Sequence, residues 1–365
     1  MAPDRTTTQQ RMNRREFIRV ATGAALALFV PACRRTSPSP SALPVPSGWV
    51  DTQRYKKPGP WRIGRSGRGD LSSWMVMFSA HIAYGIRVKY KERFKEYFDL
   101  PANWDPNKQV QDIEKLLAKG IDLLLIDPID HAAVAQGIQE AMDRGIPVVL
   151  ASSTAQNAPY VSLVALNEEA RGSTCADWLS RAMAGGNVAI LASQPTAGDH
   201  RAWLRGVHRA LDAQSHIRQV KESTCFWSVP AAKEATKAIL NQFSAIDGVL
   251  VNNGVVAQGV VEAFVEKGRA IPPIAGADDW NGWLRTAKEH HVHFIGLTGG
   301  ANLGLRCVDL AVEILSGNAV PVYLEFPYEI FDESALDRYY RPDLSDHYWA
   351  AHDLPEDWIE KMFKP

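Results

Sequence analysis

Cysteine is scarce in this chain, net charge is almost absent, and no apolar run is long. Four cysteines occur among 365 residues, with no Cys-x-x-Cys pair and no histidine cluster at metal-ligand spacing, so no metal site is expected. No apolar run reaches the roughly 20 residues that a membrane-spanning helix needs. The formal net charge of −1 provides no basic footprint, so no nucleic-acid partner is expected.

The motifs of several enzyme classes are also missing. There is no Gly-x-Ser-x-Gly nucleophile elbow and no phosphate-binding loop of the Walker type. The segment 67–69 (Gly-Arg-Gly) follows an apolar run but lacks the third glycine of a dinucleotide-binding fingerprint. The sequence therefore predicts neither an enzyme nor a bound cofactor.

An export signal is predicted at residues 1–32. Arg14 and Arg15 precede the short apolar stretch VATGAALALFV, which leads to small residues and Cys33. A basic start, a short apolar region and small residues are typical of a signal peptide. The segment resembles a bacterial twin-arginine signal, in which an apolar residue such as Phe17 follows the arginines. The sequence VPAC resembles a lipobox, which implies that Cys33 becomes the lipidated first residue of the exported protein.

A Ser/Pro-rich stretch follows the predicted signal. In residues 33–60, Cys33 is followed by RRTSPSPSALPVPSG, which contains too few apolar residues to pack, and the stretch is predicted to be a semi-extended tether. Without residues 1–32, 35 basic and 39 acidic side chains remain, and the formal charge becomes −4. Three cysteines remain beyond Cys33 (Cys175, Cys225 and Cys307), which allow at most one internal disulfide.

Strands and helices alternate along the body that begins at about Trp61. Apolar runs such as IDLLLID and IPVVLAS suit buried parallel strands, and NKQVQDIEKLLAKG, which precedes the first of them, has apolar residues on one helical face. Such alternation predicts an α/β fold with parallel sheets covered by helices on both faces. About 300 residues are enough for two lobes, because single cores rarely exceed about 250–300 residues. Ligands bind beyond the carboxyl ends of strands in such sheets.

The order of the motifs resembles the periplasmic sugar-binding proteins of the ribose-binding type, which are type I solute-binding proteins of ABC importers. The segment DIEKLLAKGIDLLLIDPIDHAAVAQGIQEAMDRGIPVVL contains a helix, a glycine, a strand ending in Asp-Pro, a second helix and a Gly-Ile-Pro-Val-Val strand in that family's order. HRAWLRGVHRAL, VLVNNGVVAQGVVEAFVEKG and IAGADDWN resemble successive pieces of the second lobe. The resemblance extends from Trp61 to Glu329.

This resemblance implies two doubly wound parallel-sheet lobes joined by a three-crossover hinge. It places the crossovers near Ala165, Thr298 and Pro321. The implied first lobe comprises residues 61–164 and 298–320, and the second comprises residues 165–297 and 321–331. A C-terminal extension, residues 332–365, exceeds the family fold and is expected to pack along one lobe or near the hinge.

The resemblance also implies a ligand site in the cleft between the lobes. The implied ligand-binding residues are Trp74, Asp127, Ser152, Ser153, Arg201, Trp227, Asn253, Asp278 and Thr298. Several of them have other interpretations: Arg201 as a solvated residue at a helix start, the tryptophans as core residues, and the acids as helix caps. Asn252 could take the role of Asn253, and Trp203 and Trp280 could line the mouth instead.

The chain departs from the ribose binders at three of these positions. Ser152 and Ser153 stand where those proteins have an Asp-Arg pair, and Thr298 stands where they offer a glutamine. D-Ribose itself is therefore not expected. The ligand classes that stay open are a larger sugar, a polyol, and a quaternary amine surrounded by tryptophans.

The resemblance implies a monomeric solute-binding component of an ABC importer in the periplasm. Its partner would be the permease in the inner membrane, and its membrane contact would be the lipid anchor alone. A periplasmic sensor subunit for a membrane receptor would share every cleft residue and stays open as the alternative.

Overall fold

The computed structural model describes residues 47–193 and 198–365. The predicted export signal, the predicted lipidation at Cys33 and most of the predicted tether lie outside these residues. No helix in the described ranges is both long and apolar enough to cross a membrane.

The first lobe is formed mainly by residues 49–165. Its strands are β1 (Trp49–Val50), β2 (Trp61–Gly67), β3 (Phe94–Pro101), β4 (Leu123–Ile126), β5 (Val148–Ala151) and β6 (Ser162–Ala165). Its helices are α1 (Ser73–Tyr84), α2 (Pro106–Ala118) and α3 (Ala135–Asp143).

The second lobe follows directly in the chain. Its helices are α4 (Glu168–Ala182), α5 (Gly198–Asp212), α6 (Val229–Gln242), α7 (Gly254–Glu266) and α8 (Asn281–Glu289). Its strands are β7 (Gly186–Ala192), β8 (Ile217–Thr224), β9 (Gly248–Val251), β10 (Ile274–Ala277) and β11 (Phe294–Leu297). The chain then continues with α9 (Leu303–Ser316), β12 (Val320–Pro321), β13 (Tyr323–Glu325), β14 (Ile330–Asp332), α10 (Leu336–Tyr339) and α11 (Glu356–Phe363).

Each lobe has a six-stranded sheet. The first sheet has the order β13-β6-β5-β4-β2-β3 with all pairs parallel, and the second has the order β14-β11-β10-β9-β7-β8 with only the β14–β11 pair antiparallel. The central strands are buried on both faces, as parallel sheets require. This architecture confirms the predicted α/β fold of two doubly wound lobes.

Local sequence explains why these elements form where they do. Helix α2 begins at Pro106, because Asp105 accepts hydrogen bonds from the amides of Asn107 and Lys108 and proline needs no partner at the first turn. Gly120 ends the helix in a left-handed conformation with φ of 67°. The chain then enters β4, whose four residues are all buried.

A bulge in β10 sets the direction of the residues that follow it. The register with β11 shifts between Ala275 and Ala277 around Gly276, whose φ is 101°. A side chain at Gly276 would place its Cβ 2.0 Å from the carbonyl oxygen of Val251. Glycine is therefore required here, and the bulge re-aims the chain directly before Asp278.

The chain crosses between the lobes three times. The crossings follow β6, which ends at Ala165, and β11, which ends at Leu297, and the third lies between β13 and β14. The predicted crossing near Pro321 and the predicted assignment of residues 321–331 to the second lobe are therefore corrected. The chain stays in the first sheet through β13 and crosses after it. Strand β13 joins the first sheet because the Leu163 amide donates to Val322 and the Ser162 hydroxyl donates to Pro321.

The start of the first lobe also needs a correction, because part of the predicted tether is folded. Strand β1 pairs with β12, the Thr52 hydroxyl donates to the carbonyl of Asn318 at 2.5 Å, and Tyr55 is buried in the core of the first lobe. Residues 49–60 therefore belong to the first lobe rather than to the predicted tether.

The C-terminal extension packs against the core of the second lobe. Apolar residues from residue 336 onward join the cluster around Trp283 and Phe294: Leu336, Tyr339, Leu344, Tyr348, Trp349, Leu354, Ile359 and Phe363. The extension also contacts α1 of the first lobe, where the Trp349 indole donates to Ser73.

Candidate functional site

A cavity of about 350 Å³ lies in the cleft between the two lobes. Residues from the loops after β2, β3 and β5 line it on one side, and residues near the ends of β8, β9 and β10 line it on the other. The cavity therefore occupies the carboxyl ends of both sheets, which is where doubly wound sheets bind ligands.

Tryptophan rings form much of the cavity wall. Trp74, Trp104, Trp227 and Trp349 all line it. The ring of Trp74 stacks on Phe78 with centroids 5.2 Å apart, and its indole nitrogen donates to the carbonyl of Gly299 at 2.8 Å. These contacts fix the orientation of the ring before any ligand arrives.

Trp104 and Trp227 meet across the cleft from opposite lobes. Their ring centroids are 5.5 Å apart. Each follows an edge strand, β3 or β8, and each lies in a pair of residues with left-handed backbone: Asn103 and Trp104 have φ of 54° and 62°, and Phe226 and Trp227 have φ of 47° and 50°. Such strained conformations are common at ligand clamps.

The sequence prediction included Trp227 but missed Trp104. A signal was present, because WDP after β3 and WSVP after β8 place a tryptophan, a capping residue and a proline in the same order. Asp105 and Ser228 both cap the helix that follows. The two lobes therefore present equivalent tryptophans from equivalent loops.

Arg68 is a second residue that the sequence prediction missed. Its Nε lies 3.0 Å from a carboxylate oxygen of Asp127 and donates to the carbonyl of Pro128, and its terminal nitrogen donates to Ser153 Oγ at 3.2 Å. The guanidinium also lies 5.5 Å from the ring centre of Trp104. Arg68 lines the cavity, whereas Asp127 and Ser153 lie behind it and hold it in place.

Ser152 lies in the first-lobe wall itself. Its φ is 63°, and its buried Oγ has no hydrogen-bond partner among the described residues. A buried hydroxyl without a partner costs free energy, so this atom is suited to a ligand hydroxyl.

Two neighbouring asparagines provide the amide groups of the second lobe. The Asn253 side chain caps α7 by accepting from the amide of Val256, and it donates to Ser193 Oγ at 2.7 Å. Asn252 Oδ1 accepts from the hydroxyl and the amide of Ser193, and Asn252 Nδ2 lies 3.2 Å from the ring of His200. Both asparagines line the cavity in fixed orientations.

Asp278 is a deeply buried acid in the cavity wall. It is 4% exposed, and one carboxylate oxygen accepts from the amide of Trp280 at 3.3 Å. Burial, followed by the neighbouring charge of Asp279, raises the pKa of Asp278 to about 7. Burial also raises the pKa of Asp279, whose two oxygens accept from the amides of Gly299 and Ala351.

Arg201 and Thr298 do not line the cavity in the described structure. Arg201 lies on the exposed side of α5, and the residue before it, His200, faces the cleft with its ring 5.0 Å from that of Trp227. Helical phase turns His200 rather than Arg201 toward the cavity. Thr298 lies at the second crossing, where its carbonyl accepts from Arg171 at 2.9 Å and its hydroxyl accepts from the amide of Glu329.

Arg171 and Glu168, which were not predicted, line the cavity near that crossing. Arg171 Nε lies 3.3 Å from a carboxylate oxygen of Glu168. With the Arg68–Asp127 pair, each buried cation at the cavity has an acidic partner. The guanidinium groups of the cavity are therefore compensated by carboxylates, and Asp278 is a further acid in the wall.

The other residues that the sequence singled out lie in the core or away from the cavity. Trp203 and Trp280 are buried, and neither lines the cavity. Cys175, Cys225 and Cys307 are free and buried, and burial raises the pKa of the Cys225 thiol to about 11. The described residues contain no group of three side chains able to hold a metal ion.

Comparisons with known proteins agree with this geometry. The sequence model of the periplasmic binding protein domain matches residues 80–319. The ribose import binding protein of Bacillus subtilis is 25% identical over 286 residues, which cover 78% of this chain and 92% of that protein. That relative is a binding protein rather than an enzyme.

Two solved structures have the same fold. An ABC transporter solute-binding protein from Mycobacterium smegmatis with bound glycerol superposes with a TM-score of 0.71 at 20% identity, covering 80% of this chain and all of that one. A solute-binding protein from Bacillus halodurans with bound myo-inositol gives 0.70 at 19% identity, covering 77% and 97%.

Proposed function

We propose that this chain, which belongs to the periplasmic binding protein family, binds a sugar or polyol in the cavity between its lobes and delivers it to an ABC permease. The observation that carries the proposal is the pairing of tryptophan faces with buried polar groups from both lobes. Sugars and cyclic polyols offer apolar C–H faces for the rings and hydroxyls for the polar groups.

The residues divide into three roles in this proposal. Trp74, Trp104 and Trp227 cover the faces of the ligand. Arg68 and Ser152 from the first lobe and Asn253 and Asp278 from the second form hydrogen bonds with its hydroxyls. Asp127, Ser153 and Thr298 act through other groups and are positioning residues.

The size and the hydrogen-bonding groups of the cavity favour a small neutral ligand. Its volume of about 350 Å³ is at the lower end of the range for small-molecule sites, which suits a monosaccharide or a polyol of similar size. A quaternary amine would be attracted by the tryptophans but would meet the guanidinium groups of Arg68 and Arg171 in the same wall. A quaternary ammonium group cannot accept hydrogen bonds from these donors, whereas a hydroxyl can, so the polar groups of the wall favour hydroxyl-bearing ligands.

Transport needs no covalent chemistry in this protein. A ligand that contacts both lobes stabilises the closed form over the open form, because only the closed form makes both sets of contacts. The closed form would be the one that the permease recognises. The name of the ribose import relative supports importer over sensor.

A thermal-shift screen tests the proposed ligand class. The protein is heated with D-ribose, xylitol, myo-inositol, glycerol or choline in excess, and a ligand that binds only the folded state raises the unfolding midpoint. We expect a shift with at least one sugar or polyol, followed by saturable binding in calorimetry. A shift with choline alone would replace the proposal with a cation-binding one, and no shift with a broad set of sugars and polyols would contradict it.

We also propose that the mature protein is exported and anchored through a lipid on Cys33. The twin-arginine-like segment and the VPAC sequence support this. Replacing Cys33 with serine is expected to move the protein from the membrane fraction to the soluble fraction, because the anchor is lost. Equal fractionation of the parent and Cys33→Ser proteins would exclude the anchor.

A further inference from the structure

The C-terminal extension, residues 332–365, contacts both lobes beside the ligand cavity. It lies beyond residues 80–319, which the family match covers. It packs on the second lobe through a large apolar cluster and reaches α1 of the first lobe at several points. A segment bound to both sides of a cleft affects how far the cleft can open.

Buried polar side chains at the start of α8 attach the extension to the second lobe. Asn281, which is 1% exposed, places its amide nitrogen within hydrogen-bond distance of the carbonyls of Arg341 (2.9 Å), Leu344 (3.2 Å) and Ser345 (3.1 Å). The Asn281 side-chain oxygen accepts from the amide of Arg341. The Asp279 carboxylate accepts from the amide of Ala351 at 2.6 Å.

The same carboxylate links the extension to a crossing between the lobes. Its other oxygen accepts from the amide of Gly299 at 2.6 Å, directly after the second crossing. Trp280 and Trp349 form an antiparallel bridge beside it. The buried carboxylate of Asp279 therefore holds the extension next to the second crossing between the lobes.

Three contacts attach the extension to α1 of the first lobe. The Trp349 indole donates to Ser73 Oγ at 3.1 Å, and the amide of Asp353 donates to His81 Nε2 at 3.1 Å. The other ring nitrogen of His81 lies 2.7 Å from the carbonyl of Met77, to which it donates in this tautomer. Burial lowers the pKa of His81 to about 4, so the ring is neutral and Nε2 is able to accept. The ring of Trp358 packs edge-on against Tyr84 with centroids 5.5 Å apart.

Trp349 takes part in the cavity wall as well as in these contacts. Its ring lies over Gly299, where a Cβ would be 2.4 Å from the indole. Gly299 also accepts the indole hydrogen bond of Trp74 through its carbonyl. Trp74 and Trp349 therefore form one continuous wall on either side of Gly299.

We propose that residues 332–365 form a third component of the ligand site: they brace the two lobes against each other and place Trp349 in the cavity as a specificity-determining residue. The ring closes one end of the cavity and so limits the ligand to about the size of a monosaccharide. The limit on ligand size depends on the proposed function, whereas the brace does not.

Binding measurements test the role of Trp349. Trp349→Ala is expected to weaken the best sugar or polyol from the screen by at least about tenfold, because a ring face is lost. It is also expected to improve binding of maltose relative to that ligand, because the cavity gains length. Trp178→Ala is the matched control, since Trp178 lies in α4 of the second lobe, contacts His293 and does not line the cavity. Equal affinity and equal ligand preference in the parent and Trp349→Ala would overturn the assignment.

Distance measurements without ligand test the brace. Spin labels at Gln136→Cys in α3 and Ala238→Cys in α6, both exposed positions in opposite lobes, report the separation of the lobes. Cys33 is replaced by serine, and the three remaining thiols are buried. We expect one narrow distance distribution in the parent and a broader, longer one in Trp349→Ala/Trp358→Ala, because the ring contacts to α1 are lost.

The Trp349→Phe variant keeps an aromatic ring at this position and loses the hydrogen bond to Ser73. It replaces the double variant in the distance measurement if the double variant does not fold. It should broaden the distribution in the same direction. Identical distributions in the parent and a folded variant would overturn the brace. If no probe binds the parent protein, the proposed function fails, and the distance measurement still decides on the brace.

Discussion

Replacing Asp278 with alanine is expected to weaken binding of the sugar or polyol by about 10- to 150-fold, because a buried hydrogen bond to a charged group contributes roughly 1.5–3 kcal/mol. Asp278 is the acid of the second-lobe wall, is 4% exposed and lines the cavity. Calorimetric titration of the parent and variant with the same ligand measures the loss.

Two further variants separate the charge from the shape of this residue. Asp278→Asn keeps the size of the side chain and one hydrogen-bond acceptor. Its affinity for the ligand should therefore lie between that of the parent and that of Asp278→Ala. Asp130→Asn is the control, because Asp130 is an acid after a first-lobe strand that only caps the amides of Ala132 and Ala133. An unchanged affinity in Asp278→Ala, in a protein that unfolds at the parent temperature or close to it, would remove Asp278 from the site.

The same carboxyl makes the stability of the ligand-free protein depend on pH. The folded-state pKa of Asp278 is about 7, above its ordinary value of 3.8, so the folded state holds this proton where the unfolded state releases it. The contribution of Asp278 to stability is therefore present at low pH and is lost as the pH rises from about 4 to about 7. Urea unfolding measures the effect. Between pH 5 and pH 8, the free energy of unfolding should fall by about 3 kcal/mol more in the parent than in Asp278→Asn.

Several parts of the site were predictable because strand ends follow from buried apolar runs. Ser152, Asn253 and Asp278 each lie within two residues of the end of a continuous apolar strand, and each lies in the cavity wall. Arg201 was predicted from the start of a helix rather than from the end of a strand. Helical phase decides which residue of α5 faces the cleft, and the structure turns His200 toward it and leaves Arg201 exposed.

Other parts depend on contacts between residues that are far apart in the chain. Arg68 reaches the cavity because Asp127, 59 positions later, holds it there, and Trp349 reaches it because Asp279 and Asn281 bind the extension. A local sequence pattern does not indicate which distant residue a side chain will contact. The short strand β13 shows the same effect, because its three residues could pair with either sheet and only Ser162 and Leu163 decide which.

The pair formed by Arg68 and Asp127 leads to the largest expected loss of stability. Replacing Asp127 with alanine is expected to destabilise the protein by about 3–5 kcal/mol, because it leaves the Arg68 charge buried without its acid. The exposed fractions of these side chains are 8% and 2%. Chemical denaturation of the parent and variant measures the change in the free energy of unfolding.

The double replacement Arg68→Met/Asp127→Leu distinguishes a structural pair from a ligand-binding one. Apolar side chains of similar volume often replace a buried ion pair at little or no cost, so most of the lost stability should return. Ligand affinity should not return, because the donors of Arg68 are gone while Trp104 and Ser152 remain. If the double variant bound the ligand as tightly as the parent, Arg68 would be a structural residue and the first-lobe contacts would fall to Ser152 and the tryptophans alone. Recovery of stability without recovery of affinity would instead assign binding to Arg68 and positioning to Asp127.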